Sequence, residues 1–421
     1  MNGKAVNYRK GTNLPAMGDY NRSVVLETIR ENSDISRIEI SRMTGLTAQT
    51  VTNIVRKLLE QGLVYERGLV TGKRGKPRTS IRLNKTGRFA VGVHVDPAQT
   101  TIVLINLAGD IIARARPALS SDADEATQTI ACTITQLLDD NNVPYDHMGG
   151  IGLAVPGPLD IRREVVLDPP NLSGWRDVPI TKTLNAAAGF PVLMEKDVTA
   201  ACHGEAWAAN ADHDRDFLFV YTGLGIAFGV VKDGEVYQGL SGNEGEIGHI
   251  VVDIDGPRCW CGQRGCVAVT CDPRSLVNEA ERLGLFTEPT GVDMSREFNG
   301  SDDLSRLDSC FSQLCQRAES GDGACESLLR RAGYRLGRAV TILADLFDME
   351  HVIGGGPYWQ SLEHFYLDEI LGVMQSKAVL RRLHSFTVKS TALGGDIAAV
   401  GAASAILDRD LTPRTTSLIL S

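Results

Sequence analysis

Long apolar runs are missing from this chain of 421 residues. No stretch approaches the roughly 20 consecutive apolar residues that a membrane-spanning helix needs. The start also lacks a charged segment leading into an apolar stretch and a small-residue cleavage site, so no secretory leader is read there. Both absences point to the cytoplasm. A disulfide framework is excluded as well, because nine cysteines, an odd and scattered set, fit a reducing compartment. Positive net charge is absent too, and a balance of -9, taken alone, argues against a nucleic-acid partner. What is present is apolar material for a sizeable core, 43% of residues, and length for two or three domains.

The charge is unevenly placed, which reverses the first impression. Residues 1–85 hold 16 Lys and Arg against 7 Asp and Glu, a balance of +9; the rest holds 27 against 45, a balance of -18. A basic head on an acidic body is the asymmetry expected of a small nucleic-acid module joined to a larger domain. Residues 1–20, with Gly3, Gly11, Pro15 and Gly18, are expected to be irregular and flexible, and the head to span 21–85. A first helix starts at Asn21. Ser36-Arg-Ile-Glu39 has the capping-box pattern and opens a second helix to about Met43. Gly45 pivots a turn, and Thr47 caps a third helix to about Gln61. In it Val51, Ile54, Val55, Leu58 and Leu59 make one apolar stripe. Strands at 62–68 and 79–83 flank the basic tip Thr71-Gly-Lys-Arg-Gly-Lys-Pro-Arg78. The layout is a winged helix-turn-helix. Thr47, Gln49, Thr50 and Asn53 suit base edges of double-stranded DNA. Arg56, Lys57, Lys73, Arg74, Lys76 and Arg78 suit phosphates or the minor groove. A three-helix module for protein contact is the alternative.

Much further along, His249, Cys259, Cys261 and Cys266 offer one imidazole and three thiolates within a short span. That set fits a closed, tetrahedral, structural Zn2+ site, one ion per chain. Gly262 and Gly265 let the chain fold back tightly enough for the sulfurs to converge. The alternative is four unrelated buried residues. Between head and knot the pattern is α/β. Phe89–Val95, Thr101–Asn106 and Ile111–Arg116 read as a strand meander, followed by a helix from Asp124 to Asn141 and a buried strand, Gly150–Val155. The stretch from Phe286 to Asp308 is polar and is expected to be an irregular surface excursion. A final helix, Ala398–Leu407, is expected to return to the first lobe.

Gly-Glu246-Ile-Gly-His249 followed by Cys259-x-Cys261-Gly-x-x-Gly-Cys266 resembles the signature of the ROK family, a group of sugar kinases and transcriptional repressors. The resemblance extends over nearly the whole chain. It implies two actin-like, ribonuclease-H-like α/β lobes behind the head. The first takes 86–200 plus about 396–421, and the second takes 201–395 with the zinc knot. It also implies sugar contacts at Asn171, Asp197, Glu246 and His249. In the family's kinases the residue matching Asp197 is the general base, preceded by an Asn. Here Lys196 stands in that place, and Ala268 stands where a sugar-contacting Glu is usual. Lys196 is therefore counted with the ligand site, and the expected effector is an unusual one, acidic or N-acylated, with Lys196 meeting a negative group. Apart from the family, Asp197 reads as a helix cap and Asn171 as a turn residue.

Two functions compete under this resemblance. ROK kinases carry Asp-x-Gly-Gly-Thr between their first two strands, so that the backbone can approach ATP. Here the turn is Asp96-Pro97-Ala98-Gln99-Thr100. Proline removes an N–H donor, and Ala and Gln place side chains where phosphate must come close. Phosphoryl transfer depends on positioning and charge neutralisation, so no enzymatic activity is expected. The expected function is a sugar-responsive DNA-binding regulator, a repressor by family habit. It would bind a small sugar or derivative between the lobes and act as a homodimer or a dimer of dimers. The alternatives are a sugar kinase, and a regulator that has lost ligand sensing.

Overall fold

The computed structural model describes residues 14–70, 78–97, 99–170, 172, 174–208, 216–292 and 301–411. The head comprises α1 (Leu14–Glu31), α2 (Arg37–Thr44), α3 (Ala48–Glu60) and the antiparallel pair β1 (Val64–Val70) and β2 (Arg78–Leu83). The expected irregular stretch to residue 20 is corrected here, since α1 already runs from Leu14. Pro15 belongs to its first turn, where a missing N–H costs nothing because that donor has no helical partner. The capping box at Ser36 forms with both of its hydrogen bonds, and Gly45 ends α2 in the left-handed conformation at φ 71. Thr47 caps α3 by accepting from the Thr50 N–H. Val51, Val55 and Leu58 are fully buried, with Ile54 and Leu59 packed at the edge of the same core. Asp34, next to the turn after α1, takes the Arg82 guanidinium of β2 and so ties the wing strands to the helices.

The first lobe is built on β3 (Phe89–His94), β4 (Thr101–Asn106) and β5 (Ile111–Ala115), then α4 (Ala123–Asp140) and β6 (Met148–Val155). The small hairpin β7 (Leu159–Asp160) and β8 (Val165–Val166), α5 (Ile180–Ala188) and β9 (Val192–Lys196) complete it. Its sheet order is β5-β4-β3-β6-β9, with the first three strands antiparallel and β6 and β9 parallel to β3. Helix α6 (Asp197–Ala208) follows without a loop. The second sheet repeats the plan with β10 (Phe217–Thr222), β11 (Ile226–Lys232) and β12 (Glu235–Val236). After it come α7 (Pro273–Arg282), α8 (Ser301–Glu319), α9 (Gly323–Phe347), β13 (His351–Gly355), α10 (Trp359–Lys377), β14 (Thr387–Ser390) and α11 (Ile397–Leu411). Its order, β12-β11-β10-β13-β14, places successive strands as in the first sheet.

Strand alternation decides what each face meets. Phe89, Val91 and Val93 of β3 turn toward Ile130, Ile134 and Leu138 of α4. Ala90 on the opposite face meets α11, and there the backbones nearly touch: a Cβ on Gly92 would lie 1.8 Å from the Ala399 carbonyl oxygen, and one on Gly152 1.8 Å from that of Ala402. The same cluster continues from Ala399, Ala403 and Ile406 into Val25, Leu26 and Ile29 of α1. Head and first lobe thus share one core. Helix α6 packs along α11 between the two sheets, and a division of the chain at residue 200 falls inside it.

The expected surface excursion at 286–308 is also corrected. Residues 293–300 lie outside the described ones, but α8 is already helical from Ser301, with Leu307, Phe311 and Leu314 buried and Leu304 packed beside them. Its apolar residues recur at helical spacing within a polar background. Among the described residues, no helix is long and apolar enough to cross a membrane.

Candidate functional site

A cleft of about 540 Å³ opens between the lobes, and Asp96, Lys196, Asp197, Tyr221, Glu246, His249, Trp260 and Asp272 are among its walls. Lys196 ends β9 and Asp197 begins α6, so the strand-to-helix junction sets both at the cleft floor. Lys196 is buried. Its Nζ donates to Glu246 Oε1 at 2.5 Å and to the Glu244 carbonyl at 2.9 Å. Asp197 Oδ1 accepts from the Val198 N–H at 2.7 Å, capping its own helix. Burial pushes the Asp197 carboxyl up to about 6, opposed by the Lys196 charge and the Val198 N–H. Asp272 caps α7 by accepting from the Ser275 N–H, and burial raises it to about 6 as well.

Glu246 reaches the cleft because Gly245 lets the chain cross β11 at contact distance. With φ at 87 it has no room for a Cβ, which would sit 1.8 Å from the Phe228 carbonyl oxygen. Just before it, Asn243 joins the lobes: its side-chain amide accepts from the Leu159 N–H and donates to the Leu159 carbonyl, each at 2.7 Å.

Beside the cleft, His249, Cys259, Cys261 and Cys266 bring one ligand atom each to within 4.8 Å of one another. His249 Nδ1 lies 3.4 Å from Cys259 Sγ, and Cys261 Sγ lies 3.7 Å from Cys266 Sγ. A tetrahedron with metal–sulfur bonds of about 2.3 Å has edges near 3.8 Å, so the spacing fits a metal ion. Since Nδ1 faces the sulfurs, Nε2 is the ring nitrogen left for other partners. The chain returns through Gly262 and Gly265, where φ is 94 and 64.

On the head, Thr47, Gln49, Asn53, Arg56 and Lys57 are exposed on the outer face of α3, and Thr50 is half-buried. The Thr47 hydroxyl is engaged in capping, and Gln49 Nε2 meets Asn53 Oδ1 at 3.4 Å.

A sequence profile described as the ROK family matches residues 90–409. The chain belongs to the ROK family. A second profile, winged helix-turn-helix DNA-binding, matches residues 19–65. The xylose repressor of Bacillus subtilis (strain 168) is 27% identical over 397 residues, covering 93% of this chain and 96% of that protein. The DNA-binding transcriptional repressor Mlc of Escherichia coli (strain K12) is 25% identical over 392 residues, covering 91% and 92%. A crystal structure of a ROK family transcriptional regulator, described as a homolog of the E. coli Mlc protein, superposes with a TM-score of 0.76 at 21% identity, covering 96% of this chain and 100% of that one. A ROK family glucokinase from Streptomyces griseus, in complex with glucose and AMPPNP, superposes with a TM-score of 0.61 at 25% identity, over 75% of this chain and 98% of its own.

Within this ROK chain the structure gathers Lys196, Asp197, Glu246 and His249 around one cleft and sets the Cys/His cluster at its edge. Asn171 and the wing residues Lys73, Arg74 and Lys76 lie outside the described residues. Of Arg78 only its place in β2 is described. Ala268 also lines the cleft. Sequence reasoning missed Asn243, Tyr221 and Trp260. Tyr221 carried no local signal: it is buried, and its hydroxyl lies 3.0 Å from His94 Nε2 of the other lobe. Trp260, enclosed by two metal-type cysteines, carried one.

Proposed function

We propose that this chain is a sugar-responsive repressor of transcription that binds operator DNA through residues 21–85 and holds its effector between the ROK lobes. The observation that carries this reading is the joining of a winged helix-turn-helix head to the first lobe by a common core through α1 and α11. The named relatives are repressors that match this chain over more than nine-tenths of both lengths, which supports it. A two-fold dimer would present two α3 helices to half-sites about 34 Å apart. Lys196, Asp197, Glu246, His249 and, by family resemblance, Asn171 would meet sugar hydroxyls. The pairing of Lys196 with Glu246 leaves that lysine neutralised, which argues against an acidic effector group at this place.

A zinc ion held by His249, Cys259, Cys261 and Cys266 would supply a fixed cross-link, with no open position for water. The residues' own part is to orient the His249 ring and anchor the loop that carries Glu246. Kinase chemistry is the second reading, favoured by Asp197 at the helix start. Against it stands the turn from Asp96 to Thr100, where Pro97 has no N–H to offer a phosphate. The test is a gel-shift titration of the chain's own upstream DNA with and without D-xylose, D-glucose and N-acetyl-D-glucosamine, alongside an ATP-consumption assay with the same sugars. Nanomolar DNA binding released by a sugar, without ATP turnover, is expected. Turnover above about 1 per second would reverse the assignment.

A further inference from the structure

The chain has four tryptophans. Trp175 and Trp359 are buried in the two lobes, and Trp207 is half-buried. Trp260 is 51% exposed, and it lines the cleft. Burying an indole is worth more than burying almost any other side chain, so leaving this one in water calls for a use.

Its mounting is rigid. Cys259 and Cys261 flank it in sequence, both belong to the metal-type cluster, and the Cys259 N–H donates to the Gln263 carbonyl at 2.8 Å. Its ring packs edge-to-face on His249, with centroids 5.5 Å apart and planes at 80°. A loop closed by these contacts holds an aromatic face in one orientation, as a binding platform requires.

Depth orders the cleft. Lys196 and Asp197 are 3% and 9% exposed at its floor, whereas Glu246, His249 and Trp260 are exposed nearer its mouth. Trp260 packs against His249 in the same cleft, so a sugar ring that reached from Asp197 to His249 would end beside the indole. The volume of about 540 Å³ equals roughly 18 waters at about 30 Å³ each, more than the dozen heavy atoms of one hexose. Pyranose rings carry hydroxyls around their rim and C–H groups on their faces. Carboxylates and imidazole suit the rim, and an indole suits the face.

We propose that Trp260 is the platform of a second sugar subsite, so that the effector class is a disaccharide or other glycoside whose outer ring stacks on the indole. This rests on the sugar-effector reading above and adds to it the size of the ligand.

The test is calorimetric titration of the full-length protein with three matched pairs: D-xylose and xylobiose, D-glucose and cellobiose, N-acetyl-D-glucosamine and its β-1,4 dimer. In at least one pair the disaccharide is expected to bind about tenfold tighter than its monosaccharide, the scale of one good aromatic contact. Trp260→Leu should bring that ratio to near one, and Trp260→Phe, which retains a ring, should keep most of it. Metal content and far-UV circular dichroism of both variants check that the knot is intact. Should Trp260→Leu lose the knot, quenching of wild-type indole fluorescence by the disaccharide but not by the monosaccharide decides instead. Monosaccharide binding with no disaccharide advantage, or with a ratio indifferent to Trp260, would overturn the second subsite and leave the sugar reading standing. Absence of binding by all six compounds would remove the sugar reading itself, and the subsite with it.

Discussion

His94 sits at the end of β3 with no access to solvent, and burial holds its imidazole down at about 4. The ordinary value is 6.5. The folded chain therefore refuses a proton that the unfolded chain accepts, and stability falls as pH drops from about 6.5 toward 4. Between pH 7 and pH 5 this amounts to roughly 2 kcal/mol. Asp197 and Asp272 act with the opposite sign. Both are raised to about 6, so the folded form gains from protonating them and the stability they remove at neutral pH returns as pH falls from 6 toward 4. The whole-protein slope mixes the two effects, and a substitution is needed to separate them. His94→Asn, which keeps a polar partner for Tyr221, should lose about 2 kcal/mol less than wild type between pH 7 and pH 5 in urea denaturation. Equal slopes for the two proteins would mean that His94 is accessible to protons in the folded state. The proposed zinc site makes a second prediction at this scale. Cys266 is buried, and Cys266→Ser should abolish bound zinc in elemental analysis and lower the melting temperature, because metal binding energy is also folding energy. A variant that kept a full complement of zinc would show that the three remaining ligands suffice.

Between α6 and α11 there is almost no side-chain layer. A Cβ on Gly401 would lie 1.6 Å from the Ala200 carbonyl oxygen, and one on Gly204 2.7 Å from that of Ile397. Backbone on both sides leaves nothing that could swing away. Gly401→Ala should destabilise the protein by about 3 kcal/mol or more through overpacking. Gly372, inside α10 with nothing within 4 Å of its virtual Cβ, gives the opposite result: Gly372→Ala should stabilise by about 1 kcal/mol, the helix-propensity difference. Thermal melts of the pair check both signs. Elements of this kind also show what the sequence could reveal. The head was legible because its signals are local: the capping box at Ser36, the Gly45 turn and the α3 stripe each lie within one or two helical turns. The Cys/His cluster was legible for the same reason. The first turns of α8, before Cys310, were hidden by their polar residues and by the breakers before them, and α10 by a mixed pattern that its packing against α9 resolves. The pairing of Lys196 with Glu246, 50 residues apart, and the Asn243 clasp on Leu159, 84 apart, arise only when the lobes meet, and no spacing rule encodes them.

At the scale of the whole molecule, the cleft and the DNA-reading head are linked by a short mechanical route. Helix α6 starts at Asp197 on the cleft floor and carries Trp207 near its other end. Over that ring, 4.3 Å from its centroid, lies the guanidinium of Arg30 in α1. Arg30 is itself held by Glu27 in two hydrogen bonds, so its position follows that of α1. At 1.5 Å per residue, the 12-residue α6 reaches roughly 18 Å, and its glycine contacts with α11 leave little slack. An effector that draws on Asp197 would thus pull on the body that carries α1. For this to alter DNA affinity, the sugar must bind the two arrangements of the molecule unequally, and the linkage must be reciprocal. Arg30→Gln removes the cation and Trp207→Leu removes the ring, and neither residue belongs to the cleft or to the face of α3 proposed to meet DNA. Each variant should bind operator DNA, and bind whichever test sugar the wild type binds, within about threefold of wild type, whereas the sugar-dependent change in DNA affinity, typically 5- to 150-fold in coupled systems, should shrink toward one. Fluorescence anisotropy of labelled operator across a sugar titration measures all three quantities. Full coupling in the double variant would place the route elsewhere, with the shared core between α1 and α11 as the remaining connection.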